Sequence, residues 1–118
     1  MFKEGAFSDK RVLVTGATRG LGLAIARGFA ELGARVALNY ASDEKAAARA
    51  RSELDRLAPE TLLLKGDVSS RAHVEEMVGT MLDQWGHIDV LVNNAGVVRD
   101  RLLMFLDEED WDRVLGVN

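Results

Sequence analysis

The stretch "TGATRGLG", residues 15–22, places three glycines within eight positions, directly behind the apolar run at residues 12–14. Residues with helical spacing follow, so the stretch is predicted to be a turn from a strand into a helix. A ligand phosphate can approach the backbone of such a turn only where no Cβ blocks it. Tight packing of the helix on the strand would also favour glycine, so the turn alone does not decide between the two interpretations.

Short apolar runs alternate with helical patterns along the chain. The runs are typical of parallel strands buried on both faces, and they lie at residues 12–14, 36–38, 62–64 and 88–92. Strand followed by helix, four times over with right-handed crossovers, predicts an α/β fold: the first half of a doubly wound parallel sheet with strand order 3-2-1-4. The 118 residues would form one domain. The crevice of this topology lies at the carboxyl ends of strands 1 and 4, beside "TGATRGLG" and "NNAGVVRD".

The helical patterns have recognisable ends. The first is predicted to bury Leu21, Ile25, Phe29 and Leu32 and to end at Gly33. Asp43 is expected to cap the second, which carries the alanines 46–48, Leu54 and Leu57 before Pro59 stops it. The third buries Val74, Met77, Val78, Met81, Leu82 and Trp85 and stops at Gly86, and a fourth begins near Asp107.

Composition limits the possible functions. The apolar fraction of 47% and the charged fraction of 29% are those of a soluble globular protein, and no apolar run is long enough for a membrane helix. A net charge of −4 without a basic stripe argues against a nucleic-acid partner. With no cysteine, and with His73 and His87 expected on the surface, no metal site is predicted. The cytoplasm is the expected location.

A glycine-rich turn within the first strand-helix-strand unit indicates a dinucleotide site. It lacks the Lys-Ser/Thr pair that binds nucleoside triphosphates. Around Asn39 and Tyr40 no acid is present to bind the ribose 2′-hydroxyl of NAD, whereas the guanidinium of Arg19 suits a 2′-phosphate. The pattern therefore favours NADP(H), although Arg19 could also be a solvated loop residue. The candidate cofactor-binding residues of the turn are Gly16, Ala17, Thr18, Arg19, Gly20, Leu21 and Gly22.

These residues resemble the classical short-chain dehydrogenases/reductases. The T-G-x-x-x-G-x-G signature of that family is matched at residues 15–22, and its N-N-A-G signature at residues 93–96. Two signatures in the right order are far more specific than either alone. The resemblance covers the whole chain, and it implies the NADP-binding half of a Rossmann-type fold.

The resemblance also implies roles for residues whose spacing alone assigns none. Asp67 and Val68 match the pair that contacts the adenine in this family, and Asn118 matches the asparagine of its catalytic tetrad. The second signature would lie beside the cofactor ribose through Asn93, Asn94, Ala95 and Gly96. Without the resemblance, the two asparagines are equally typical of a turn and Asp67 of a strand-end cap.

Within the family, residues 93–118 are most similar to the 3-oxoacyl-acyl-carrier-protein reductases. This implies NADPH-dependent reduction of a carbonyl substrate, small or bound to acyl carrier protein, by a homo-oligomer, dimeric or tetrameric. The alternatives are an alcohol or sugar dehydrogenase of the same family that acts on another substrate, and a noncatalytic dinucleotide-binding or folding module. The family's Ser and Tyr-x-x-x-Lys have no match, because the single tyrosine, Tyr40, has Glu44 four positions on. The chain alone is therefore expected to be inactive. Residues 102–106 could form a substrate-side wall, a subunit contact or ordinary core.

Overall fold

The computed structural model describes residues 7–58 and 60–94. In this part of the chain, strands and helices alternate as the sequence predicts. The elements are β1 (Arg11–Val14), α1 (Gly20–Glu31), β2 (Arg35–Tyr40), α2 (Glu44–Asp55), β3 (Leu62–Lys65), α3 (Arg71–Trp85) and β4 (Val90–Val92). The predicted fourth helix, the segment 102–106 and the candidate residues Ala95, Gly96 and Asn118 lie outside the described residues.

The strands form a parallel sheet in the order β3-β2-β1-β4, which confirms the predicted α/β topology. In the register, Val12 of β1 lies opposite Val36 of β2 and Val90 of β4. Because parallel strands all end at the same edge of the sheet, the turn after β1 and the segment after β4 are neighbours. This edge therefore carries the first signature and the start of the second, Asn93 and Asn94.

Alternation along the strands supplies a core on each face of the sheet. On one face, Val12, Val14, Val36 and Leu38 belong to a buried cluster with residues of α1 and α2. On the other face, Leu13, Ala37 and Leu64 pack with α3, whose predicted buried residues are confirmed: Val74, Met77, Val78, Met81, Leu82 and Trp85. Both faces of the sheet are thus covered by helices. Within the described residues, no helix has the length and apolar character needed to cross a bilayer.

The buried face of α1 differs from the predicted one by a rotation of one residue. Gly22, Ala26 and Ala30 face the sheet, whereas Leu21 is 70% exposed. Ile25 and Phe29 are only partly buried, at the margin of the cluster. The prediction placed the largest apolar side chains in the core, and it is wrong here because α1 packs close to the sheet, where only small side chains fit.

The ends of the helices follow the predicted chemistry, with one exception. Gly33, two residues after the end of α1, and Gly86, directly after α3, adopt φ of 94° and 82°, a conformation that glycine reaches without strain. Asp43 caps α2 through its side chain. Leu57 was expected on the buried face of α2, but it lies beyond the end of the helix and is 42% exposed. The turn after α2 instead buries Ala58 in the core.

The close packing of α1 gives a testable prediction. Ala26 is fully buried against the sheet, so Ala26→Leu should lower the free energy of unfolding by about 1–3 kcal/mol through overpacking. Ala24→Leu is the matched control, because Ala24 is exposed on the same helix. Urea unfolding of the two variants measures the difference. Equal stability of the two would contradict the close packing of α1.

Candidate functional site

Thr15 joins the two signature segments at the carboxyl edge of the sheet. Its backbone N–H donates to the carbonyl oxygen of Val92 at 3.0 Å, which extends the pairing of β1 with β4. Its hydroxyl lies 3.1 Å from Oδ1 of Asn93 and accepts a hydrogen bond from the backbone N–H of Asn94 at 2.9 Å. The Thr15 side chain is fully buried. The start of the second signature is thereby held against the start of the first.

Asn39 links the glycine-rich turn to the ends of β2 and β3 through hydrogen bonds of its side chain. Its Oδ1 accepts from the backbone N–H of Gly16 at 3.2 Å, and its Nδ2 donates to the carbonyl oxygens of Leu64 and Gly66 at 3.1 and 3.0 Å. The residue is only 3% exposed. The sequence placed Asn39 among the candidate cofactor-binding residues, and the structure shows its side chain used inside the protein, beneath the glycine-rich turn. Asn39 is therefore a positioning residue for that turn.

Glycine is required at the three signature positions for different structural reasons. Gly16 and Gly20 both adopt φ of 57°, which L side chains rarely do, and an added Cβ at Gly20 would meet no atom within 4 Å. Gly22 has no such backbone requirement, but an added Cβ would lie 2.2 Å from the carbonyl oxygen of Gly16 and 2.6 Å from Nδ2 of Asn94. Gly22 thus serves tight packing, whereas Gly20 leaves open space in front of α1.

The N-terminus of α1 differs from those of α2 and α3. Asp43 and Ser70 cap α2 and α3 by accepting hydrogen bonds from the backbone N–H groups of Ala46 and His73. The N-cap of α1 is Arg19, which makes no side-chain capping bond, and the first turn of α1 holds no acidic residue. Its N–H groups and the positive end of its dipole therefore favour an anionic ligand.

A cleft of about 210 Å³ lies beside this helix end, between the turn after β1 and the end of β2. It is lined by Gly16, Thr18, Arg19, Tyr40, Ala41, Ser42 and Asp43. Arg19 and Asp43 form an ion pair within it, with 2.8 Å between Nη2 and Oδ2. The pKa of Asp43 is lowered, chiefly by the hydrogen bond from the Ala46 backbone N–H and further by the charge of Arg19. Asp43 therefore stays ionised at neutral pH.

Tyr40 closes the β2 side of the cleft and is held by its neighbours. Its hydroxyl donates to Oε2 of Glu44 at 2.7 Å, and Nζ of Lys65 lies 2.6 Å from Oε1 of the same carboxylate. The hydrogen bond to Glu44, together with burial, raises the pKa of Tyr40, while Lys65 and Tyr40 lower the pKa of Glu44. The phenol therefore remains neutral and fixed in orientation at neutral pH, which does not suit it for acid-base catalysis.

Asp67 and Val68 follow β3 at the same edge of the sheet. The Asp67 carboxylate accepts hydrogen bonds from the backbone N–H and the hydroxyl of Ser69 at 2.8 and 2.6 Å, and these bonds lower its pKa. Nδ1 of His73 accepts from the backbone N–H of Asp67 at 2.9 Å. Val68 is buried in the core cluster under α3. Asp67 thus forms the strand-end cap that the sequence analysis gave as one of its two interpretations. Its side chain is exposed.

The described part of the site therefore brings together the glycine-rich turn, the end of β2, the start of the segment after β3, and Asn93 with Asn94. Leu21 points away from the sheet and is largely exposed.

Sequence reasoning missed two features: the buried amide of Asn39 beneath the turn, and the pairing of Arg19 with Asp43. The second had a signal, since opposite charges that follow two adjacent parallel strands end at the same edge. Among residues 7–58 and 60–94, no three His, Asp or Glu side chains cluster as metal ligands.

The contact of Gly22 with the turn gives a second testable prediction. Gly22→Ala should lower the free energy of unfolding by about 2–3 kcal/mol, because the backbone of Gly16 cannot move away as a flexible side chain could. Gly28→Ala is the control on the same helix: its added Cβ meets nothing within 4 Å, and the helix should gain about 0.5–1 kcal/mol. Thermal unfolding distinguishes the two. Similar stability of both variants would argue against this packing.

Comparisons with known proteins agree with this geometry. Residues 10–118 match the family model of the short chain dehydrogenases. The chain is 41% identical over 110 residues to a 3-oxoacyl-acyl-carrier-protein reductase of Staphylococcus epidermidis and 39% identical over 113 residues to one of Synechocystis. These alignments cover 93% and 96% of the chain but 45% and 46% of the relatives. The chain thus spans about half the length of the curated relatives it matches.

Solved structures give the same result. A short-chain dehydrogenase/reductase from Serratia marcescens superposes with a TM-score of 0.81 at 27% identity, over 92% of this chain and 52% of that one. The L-sorbose reductase of Gluconobacter frateurii, solved with NADPH and L-sorbose, superposes with a TM-score of 0.72 at 28% identity, over 92% and 45%. With the sheet order, the glycine-rich turn and the family model in agreement, the chain belongs to the short-chain dehydrogenase family.

Proposed function

We propose that this chain binds NADP(H) and forms the cofactor-binding part of a carbonyl reductase. The observation that carries the proposal is the N-terminus of α1, which has neither a side-chain cap nor an acidic residue in its first turn. The open space at Gly20 lies directly before it. A dinucleotide pyrophosphate fits both features, since it is anionic and requires close approach to backbone N–H groups.

The choice of NADP(H) over NAD(H) depends on the cleft beside the turn. Arg19 offers a planar set of donors that suits a phosphate, and its side chain is 72% exposed. Tyr40 occupies the end of β2, where a dehydrogenase specific for NAD places a carboxylate for the ribose 2′-hydroxyl. The Gluconobacter relative was solved with NADPH, which supports this choice by analogy.

The remaining candidate contacts follow from the same edge of the sheet. Asp67 and Val68 would contact the adenine, and Asn93 and Asn94 would lie beside the ribose with Ala95 and Gly96. The exposed Asp67 carboxylate and the fixed backbone after β4 support these assignments. Asn118 is proposed as the catalytic asparagine of the whole enzyme on the strength of the family resemblance alone.

The proposed substrate is a 3-oxoacyl group carried by acyl carrier protein, which would be reduced to the 3-hydroxyacyl group. The curated relatives at 39–41% identity carry this activity in their names. When bound, the cofactor would supply a hydride to the carbonyl carbon. The residues described here would bind and orient it, while the Ser, Tyr and Lys implied by the family have no match in the 118 residues. A sugar substrate is the second candidate, favoured by the likeness to L-sorbose reductase.

Replacing Arg19 tests the cofactor preference. Arg19→Ala should weaken NADPH binding at least about tenfold, as expected for the loss of a charge-assisted hydrogen bond, and should change NADH binding less than about twofold. Arg71→Ala, an exposed arginine at the start of α3, is the control. Titrations of cofactor fluorescence with the purified protein give both dissociation constants. Equal losses for the two cofactors would remove Arg19 from the 2′-phosphate site.

Activity of the 118-residue chain tests the division of roles. The chain should bind NADPH but not oxidise it in the presence of an acetoacetyl thioester, because it lacks the acid that would protonate the carbonyl oxygen. Absorbance at the NADPH band measures turnover, and fluorescence measures binding in the same samples. Turnover by the pure chain would contradict the proposal, and absence of binding would favour a noncatalytic folding module.

A further inference from the structure

Asp43 has two bonds that together fix its carboxylate on the wall of the cleft. Oδ1 accepts the capping hydrogen bond from the backbone N–H of Ala46 at 3.0 Å, and Oδ2 lies 2.8 Å from Nη2 of Arg19. The cap holds the side chain against the N-terminus of α2. The carboxylate therefore remains at the cleft even when Arg19 is drawn away from it.

This arrangement puts a negative charge in contact with Arg19, which supplies the positive charge among the described residues that line the cleft. Nη2 of Arg19 contacts Asp43, so a phosphate that binds the other donors of this guanidinium lies close to an ionised carboxylate, and a phosphate that takes Nη2 replaces the contact. The negative phosphate and the negative carboxylate of Asp43 repel each other at this short distance. Because the side chains of Arg19 and Asp43 are 72% and 45% exposed, dissolved salt reduces this repulsion. The negative charge of Asp43 thus opposes the phosphate binding that the positive charge of Arg19 favours.

We propose that Asp43 is a specificity-determining residue that limits the preference for a 2′-phosphorylated cofactor set by Arg19. The inference rests on the proposed NADP(H) function and adds a residue to it. Asp43 weakens binding of the 2′-phosphate by competing for Arg19 and by direct repulsion. It leaves the unphosphorylated cofactor unaffected, so the site discriminates less between NADP(H) and NAD(H) than Arg19 alone would allow.

Asp43→Asn tests the proposal because it removes the charge and keeps the cap. The amide oxygen of asparagine still accepts from the Ala46 N–H, and asparagine is as good an N-cap as aspartate. Adenosine 2′,5′-bisphosphate and AMP are suitable probes because they differ only by the 2′-phosphate. Isothermal titration of the purified protein with each probe measures binding without any need for catalysis.

Asp43→Asn should tighten binding of the bisphosphate about twofold to fivefold at low salt, with less gain at high salt, and leave AMP unchanged. Asp83→Asn is the matched control, since it makes the same change in net charge near the far end of α3 and should leave both affinities unchanged. Thermal unfolding confirms that the cap is retained in Asp43→Asn.

Three results would overturn the proposal. An unchanged affinity for the bisphosphate would mean that Asp43 does not oppose the 2′-phosphate. An equal gain for both probes, or for the Asp83→Asn control, would indicate a general charge effect. A loss of AMP binding in Asp43→Asn would instead make Asp43 an acceptor for the ribose hydroxyl.

Arg19→Ala separates failure of this inference from failure of the proposed function. If Arg19→Ala weakens the bisphosphate selectively while Asp43→Asn has no effect, Arg19 keeps its role and only the role of Asp43 is lost. If Arg19→Ala affects both probes equally, the NADP(H) preference itself is wrong.

Discussion

The contact between the first turn of α1 and the glycine-rich turn before it is the constraint on which the rest of the site depends. At Gly22 there is room for a hydrogen atom and no more, because the carbonyl oxygen of Gly16 and the amide of Asn94 occupy the space where a Cβ would lie. This approach fixes the axis of α1 relative to the end of β1. It also directs the first N–H groups of the helix, which have no side-chain cap from Arg19, toward the carboxyl edge of the sheet.

Hydrogen bonds from buried polar side chains connect the four strand ends at the carboxyl edge of the sheet. Thr15 bonds the segment after β4, and Asn39 bonds both the turn after β1 and the end of β3. Both side chains are almost completely removed from water. Breaking such bonds would leave backbone groups buried and unsatisfied, which costs about 1–3 kcal/mol each. The turn is thus held in place before any ligand arrives.

The helix N-termini differ in how their backbone N–H groups are satisfied, and the N-terminus of α1 is the one proposed to bind a ligand. The side chains of Asp43 and Ser70 satisfy α2 and α3 internally, whereas α1 has no comparable partner among its own residues. Arg19 adds a positive charge at the same place. The Asp43 side chain caps α2 and also pairs with Arg19, so the N-termini of α1 and α2 are electrostatically coupled. Competition of this kind follows directly from two adjacent parallel strands that end side by side.

The amino-acid sequence by itself determined the order of elements, the parallel sheet and the edge of the sheet at which the candidate site lies. Unbroken apolar runs, helix caps such as Asp43 and the terminating Gly33 and Gly86 are local signals, and local chemistry is enough to explain them. Spacing of the glycines and the two signatures located the carboxyl edge for the same reason.

The tertiary structure alone decided which side chains face which neighbours. In the structure the buried face of α1 consists of Gly22, Ala26 and Ala30. The distance between helix and sheet determines which side-chain sizes fit there, and that distance cannot be read from the helical periodicity of the sequence. The tertiary structure also placed Asn39 beneath the turn, and it paired Arg19 with Asp43 across 24 positions of sequence. Such contacts join residues on different elements, so they exist only once the sheet has brought those elements together.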